Sequence, residues 1–175
     1  MLDFRKKYDK TLLIICFFKL LIITASVTIS AAEEIYVTNG NSNTVSIIQT
    51  SNNMVIATVT VGSGSSGVAI TPDGQHAYVA NNTGITVSVI ETSSNTVVAT
   101  VVVGNGSMGV AITPDGQYAY VAIGNNNTVS VIETSTNTVV AAVTVGSGPF
   151  GVAVSSGVVA QAFKRFPLRN SRTPF

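Results

Sequence analysis

A period of 42 residues constrains this chain more than any other feature. Thr71-Pro72-Asp73-Gly74-Gln75-His76-Ala77-Tyr78-Val79-Ala80 returns 42 residues later as Thr113-Pro114-Asp115-Gly116-Gln117-Tyr118-Ala119-Tyr120-Val121-Ala122. Thr44-Val45-Ser46, Thr86-Val87-Ser88 and Thr128-Val129-Ser130 keep that spacing. So do Gly62, Gly104 and Gly146, and Gly67, Gly109 and Gly151. A chain that repeats at this period folds as equivalent units that bury their faces against one another.

Each unit holds four short apolar runs. In one copy they cover residues 109–112, 117–122, 128–133 and 138–145. The breakers are Pro114-Asp115-Gly116, Asn125-Asn126-Asn127, Ser135-Thr136-Asn137 and Gly146-Ser147-Gly148. β-Branched runs bounded by such clusters read as strands. Pro114 presets φ for a β-turn and Gly116 can take φ > 0. Asp115, like Asp73 one repeat earlier, is placed for an Asx-type hydrogen bond to the turn backbone. Four strands in 42 residues predict an all-β fold of β-propeller-type blades, each of four antiparallel strands. The apolar run 96–103 reads as a strand flanked by other blades or loops, not as a solvated hairpin.

Tyr36-Val37-Thr38-Asn39 recurs in weakened form as Tyr78-Val79-Ala80-Asn81 and Tyr120-Val121-Ala122-Ile123. With the two Thr-Pro-Asp-Gly turns and the Thr-Val-Ser strands, residues 33–154 resemble the YVTN family of β-propeller repeats. The resemblance implies a propeller located outside the cytoplasm. That family has no single activity, so it brings no catalytic residues onto this chain. In its blade order the innermost strand precedes the Thr-Pro-Asp-Gly turn and the Val-rich strand is outermost. Residues 33–154 then supply three strands of a first blade, two full blades and one further innermost strand at 150–154. The expectation is about three blades. Rings have 4 to 8, so an open or incomplete ring is expected. Its apolar end faces invite a homo-oligomer, and two chains would bring six blades.

The two ends of the chain differ from this body. Residues 1–32 read as a signal peptide, with a basic start at Arg5, Lys6, Lys7 and Lys10 and an apolar stretch at 11–24. Ser30-Ala31-Ala32 offers cleavage before Glu33. The alternative is an uncleaved anchor, the one route to a membrane, although Lys19 splits the apolar run well short of the ~20 residues that span a bilayer. Cys16 is the only cysteine and lacks the small neighbours of a lipidation signal, so a cleaved chain would hold no disulfide. Residues 155–175 are a divergent basic tail. It reads as a truncated or frame-shifted repeat, or else as a contact for an acidic surface.

Charge narrows the function. Residues 33–163 carry Glu33, Glu34, Asp73, Glu91, Asp115 and Glu133 but no Lys or Arg. Affinity for a phosphate backbone comes from cationic contacts, so this body is not built for nucleic acid. His76 is the only histidine, and Tyr118 fills its place one repeat later. A metal or catalytic histidine needs partners. Glu91 and Glu133 are one period apart at strand ends, with Gln49 in the first copy, and read as turn-facing. Gly62-Ser63-Gly64 lacks the lysine and the following helix of a phosphate loop. Asn81, Asn105 and Asn126 each begin a glycosylation sequon. No catalytic, cofactor-binding or metal residue is assigned, and no cofactor is implied.

The expected function is therefore non-catalytic. The chain reads as an exported module, extracellular, cell-surface or periplasmic, for protein or ligand interaction or surface-layer structure. The alternatives are a fragment of a larger, lactonase-like propeller enzyme and a truncated remnant without function, whose Val-rich edge strands would aggregate.

Overall fold

The computed structural model describes residues 33–155. The signal peptide expected at 1–32 and nearly all of the basic tail expected at 155–175 lie outside the described residues. Eleven strands form three antiparallel sheets. The first sheet is β1 (Glu34–Asn39), β2 (Thr44–Gln49) and β3 (Met54–Thr60). The second is β4 (Ser65–Ile70), β5 (His76–Asn81), β6 (Thr86–Glu91) and β7 (Thr96–Val102). The third is β8 (Ser107–Ile112), β9 (Tyr118–Ile123), β10 (Thr128–Glu133) and β11 (Thr138–Thr144). Among the described residues one 3-10 turn, Gly124–Asn126, lies in the connection from β9 to β10. Strands run in chain order across each sheet, as expected for propeller-type blades.

The blades hold together by stacking. One apolar layer joins Val45, Ile47 and Val59 of the first blade to Ala77, Val79 and Ile90 of the second. Another joins Tyr78, Ala80, Val87, Val89 and Val101 of the second to Val110, Ala119, Val121, Ile123 and Ile132 of the third. Alternate residues of β5 thus serve opposite layers, which is why Ala77, Tyr78, Val79 and Ala80 are all buried. A strand covered on both sides reads as a continuous apolar run. Among the strand pairs in substantial contact, none joins the first blade to the third, and the set is open.

Two expectations are corrected. Residues 150–154 form no strand. They lie beside β8, tied by the Gly109 N–H donating to the Phe150 carbonyl at 2.9 Å. A ladder needs a neighbouring edge, and this segment stands where a fourth blade would begin. The run 96–103 is also more open than expected. In β7 only Val101 is buried, while Val98 is 52% and Val102 68% exposed. As the outermost strand it has one neighbour. Register shifts recur in β3, β7 and β11, opposite Ile47/Ile48, Val89/Ile90 and Val131/Ile132. Such bulges twist an edge away from pairing with another chain, which tempers the aggregation expected of these Val-rich edges.

Polar side chains tie strands within a blade and blades to their neighbours. Asn81 Nδ2 donates to Thr86 Oγ1 and Ser88 Oγ, each at 3.0 Å, and Asn39 does the same to Thr44 and Ser46. This explains the asparagine of the Tyr-Val-x-Asn motif and the Thr-Val-Ser strand together. The Ser130 hydroxyl donates to the Val103 carbonyl at 3.1 Å, tying the linker before the third blade to that blade. Tyr78 OH donates to Asn137 Oδ1 at 2.7 Å, from second blade to third. The counterpart pair one period earlier is unmade: Asn95 Oδ1 is buried without a partner, and Tyr36 OH donates instead to Glu34 at 3.2 Å.

Burial pushes the Tyr78 hydroxyl up to about 12. Its neutral form therefore stabilises the fold fully below the unfolded value near ~10, and that contribution is lost as pH rises through the folded value. Tyr78→Phe is expected to cost about 1 kcal/mol by urea unfolding at neutral pH. It should also flatten the loss of stability on the alkaline side.

Candidate functional site

The described surface includes two concavities at blade junctions. The first, about 470 Å3, lies between the Thr-Pro-Asp-Gly turns of the second and third blades. Asp73, His76 and Tyr78 line it from one blade, and Asp115, Thr134 and Ser135 from the other. The second, about 410 Å3, runs along the inner rim, over Ser66–Val68, Met108–Val110 and residues 150–152.

The carboxylates of the first concavity are engaged in their own turns. Thr71 Oγ1 donates to Asp73 Oδ1 at 2.6 Å, and the Gln75 N–H donates to the same oxygen at 3.0 Å. Thr113, Asp115 and Gln117 repeat this at 2.6 and 3.0 Å. Gly74 and Gly116 both take φ of 73°, the left-handed region the turn requires. The Asx-type role expected for both aspartates is thus observed. The threonine hydroxyl, then the backbone N–H, holds each carboxyl below its ordinary value. A lowered folded pKa contributes stability above the unfolded value near ~3.9, which is lost as pH falls through the folded value. The double variant Asp73→Asn/Asp115→Asn should therefore unfold less steeply with acid below about pH 4, read by circular dichroism across an acid titration.

Glu91 and Glu133 are also turn groups. Ser94 Oγ donates to Glu91 Oε2 at 2.6 Å, and Thr136 Oγ1 to Glu133 Oε2 at 2.8 Å. Asn52 Nδ2 donates to Gln49 Oε1 at 3.0 Å in the first blade, so glutamine substitutes there without loss of the contact. His76 lines the first concavity as its single imidazole. Among the described residues no three of His, Cys, Asp and Glu gather as a metal-binding group. Asn81 is fully buried, which closes its sequon, whereas Asn105 and Asn126 are exposed.

One residue stands out that sequence reasoning passed over. Ile85 takes φ of 53°, where a β-branched side chain is an outlier. Asn43 and Asn127 occupy the equivalent turns one period either side, at φ of 56° and 55°. Each accepts a linker N–H on Oδ1, from Gly64 at 2.8 Å and from Gly148 at 2.9 Å. In the middle copy Gly106 N–H turns to the Asn82 carbonyl at 3.3 Å. The signal was the break in an otherwise kept asparagine column.

No family model matches the chain, and no curated protein matches it. Solved structures do. Hydrazine synthase of Kuenenia stuttgartiensis is similar at 29% identity and a TM-score of 0.66, over 67% of this chain and 34% of that one. A 6-phosphogluconolactonase-like protein of Bacteroides fragilis is similar at 24% identity and a TM-score of 0.59, over 66% and 37%. The dihydro-heme d1 dehydrogenase NirN follows at 20% identity and 0.57, over 70% and 27%. These are β-propeller proteins, and the fold of this chain is of that type. The chain spans about a third of their length.

Proposed function

We propose that the chain is a non-catalytic, exported β-propeller repeat module that engages protein or another ligand at the cell surface or builds a surface layer. The observation that carries this reading is the use of its acids. Asp73, Asp115, Glu91 and Glu133 each accept from a hydroxyl of their own turn. Groups held this way shape loops and are poorly placed to move protons for a substrate. The likeness of Tyr36-Val37-Thr38-Asn39 to YVTN repeats and the signal-like residues 1–32 support export. Protein or cell-surface components are the partners this reading implies.

A second reading is that the chain corresponds to a part of a larger, lactonase-like propeller enzyme. The Bacteroides fragilis neighbour favours it. Against it stands the chemistry of the body, because residues 33–163 hold no Lys or Arg to grip a phosphorylated lactone. The full chain incubated with 6-phosphogluconolactone should leave the spontaneous hydrolysis rate unchanged. Hydrolysis above that rate, abolished by His76→Ala, would overturn the non-catalytic reading. Recovery of the chain only from the cytoplasmic fraction would overturn export.

A further inference from the structure

The two ends of the stack expose faces whose counterparts are paired within it. Val59 and Val101, which face the next blade, are each 6% exposed, but their counterpart Val143 in the third blade is 49% exposed. Ala77 and Ala119, and Val79 and Val121, face the preceding blade and are fully buried. Their counterparts in the first blade, Ile35 and Val37, are 49% and 39% exposed. The third blade therefore presents the face that the second offers to the third. The first blade presents the face that the second offers to the first.

The strands are complementary too. β5 and β9 have β4 and β8 on their inner side, whereas β1 is an edge. Residues 150–154, Phe-Gly-Val-Ala-Val, match Ser66-Gly67-Val68-Ala69-Ile70 and Met108-Gly109-Val110-Ala111-Ile112 of β4 and β8. They have no sheet of their own. Glycines set how such inner segments meet. A Cβ on Gly109 would lie 2.7 Å from the Phe150 carbonyl oxygen and 3.1 Å from Gly151 Cα. A Cβ on Gly67 would lie 3.0 Å from Gly109 Cα. Gly151 has nothing within 4 Å, and so keeps a close-approach glycine with no neighbour to approach.

We infer that two copies of this chain close into one six-bladed ring, residues 150–154 of each supplying the innermost strand of the other's first blade. A second copy is the occupant because these faces already pair within the chain, between blades of nearly the same sequence. Six is the smallest multiple of three within the 4 to 8 blades of propeller rings. The register follows from Val68 opposite Val79, Ala69 opposite Tyr78 and Ile70 opposite Ala77. At the equivalent place between copies, Val152 of one copy faces Val37 of the other, Ala153 faces Tyr36 and Val154 faces Ile35. Gly151 then meets Gly67 of the second copy as Gly67 meets Gly109 within the chain.

The test uses full chains carrying Cys16→Ser. One bears Val37→Cys and a mass tag, the other Val152→Cys. Paired antiparallel residues lie within about 4.5–5.5 Å, inside disulfide reach. Oxidation of the mixture should give a covalent pair, and Ile35→Cys in place of Val37→Cys should give far less. The unmodified chain should sediment with the mass of two chains. Gly151→Ala should weaken that dimer by about tenfold or more, because it crowds backbone only across the interface. Monomeric mass, an open ladder of larger masses, or equal yield from the Ile35→Cys pair would each overturn the inference.

Discussion

Gly67→Ala is expected to lower the melting temperature by roughly 10 °C, from an overpacking cost of about 3 kcal/mol. The reason is where the added methyl would go. It would sit 3.0 Å from Gly109 Cα and 3.1 Å from Val110 N, and closer still to the Met108 carbonyl oxygen. All three are backbone atoms of the neighbouring inner strand and cannot rotate away. β4 makes room for this approach by a register shift between Ser65 and Val68, and β8 repeats it between Ser107 and Val110. Relief would require the second and third blades to separate at the inner rim. That motion would open the layer containing Tyr78, Val89 and Val121. Differential scanning calorimetry reads the effect, and Gly74→Ala serves as a contrast. Gly74 has open space around it and only its φ of 73° to protect, so its cost should stay near ~1 kcal/mol.

Ile85→Asn should act in the opposite direction and stabilise the chain by about 2 kcal/mol, a rise of roughly 5–10 °C. A left-handed conformation costs an ordinary L-residue about 1–2 kcal/mol, and asparagine much less. The new Oδ1 would also take the Gly106 N–H, as Asn43 takes Gly64 and Asn127 takes Gly148. Little is given up, since Ile85 is 43% exposed. An Ile85→Ala control would separate the contributions. It leaves a strained residue without a side-chain acceptor, so it should gain little. Equal stabilisation by alanine would mean that the hydrogen bond contributes nothing.

These two sites show where the sequence was informative. The repeat fixed the strand order because the turn chemistry is local. Thr-Pro-Asp-Gly closes on itself through Thr71, Asp73 and Gln75, and its outcome is readable from four residues. The facing of β5 toward two layers fits its unbroken Ala-Tyr-Val-Ala run, which local pattern marked only as a strand. The state of residues 150–154 was not, because a strand is defined by its neighbour and the sequence carries no neighbour for it. The exposure of β7 was misread for a related reason. A Val-rich run looks alike at the centre and at the rim of a sheet, and only the sheet order distinguishes them. Tyr78 and Asn137 lie 59 residues apart, a contact that follows from blade stacking and not from local pattern.

The candidate site divides in the same way between local and long-range features. The acidic residues were legible as turn groups because Asp73 and Asp115 recur in Pro-Asp-Gly turns and Glu91 and Glu133 recur at strand ends. The concavity they border was not, since it arises where two turns from different blades come side by side.

Blades of this kind owe their stability to their neighbours, and hydrogen exchange of the full chain tests this most directly. The slowest amides should be those of β5 and β6, which are buried on both faces in the middle blade. The outermost strands β3, β7 and β11 should exchange orders of magnitude faster at their free edges. Comparable protection in β11 and β5, or uniformly fast exchange throughout, would contradict it.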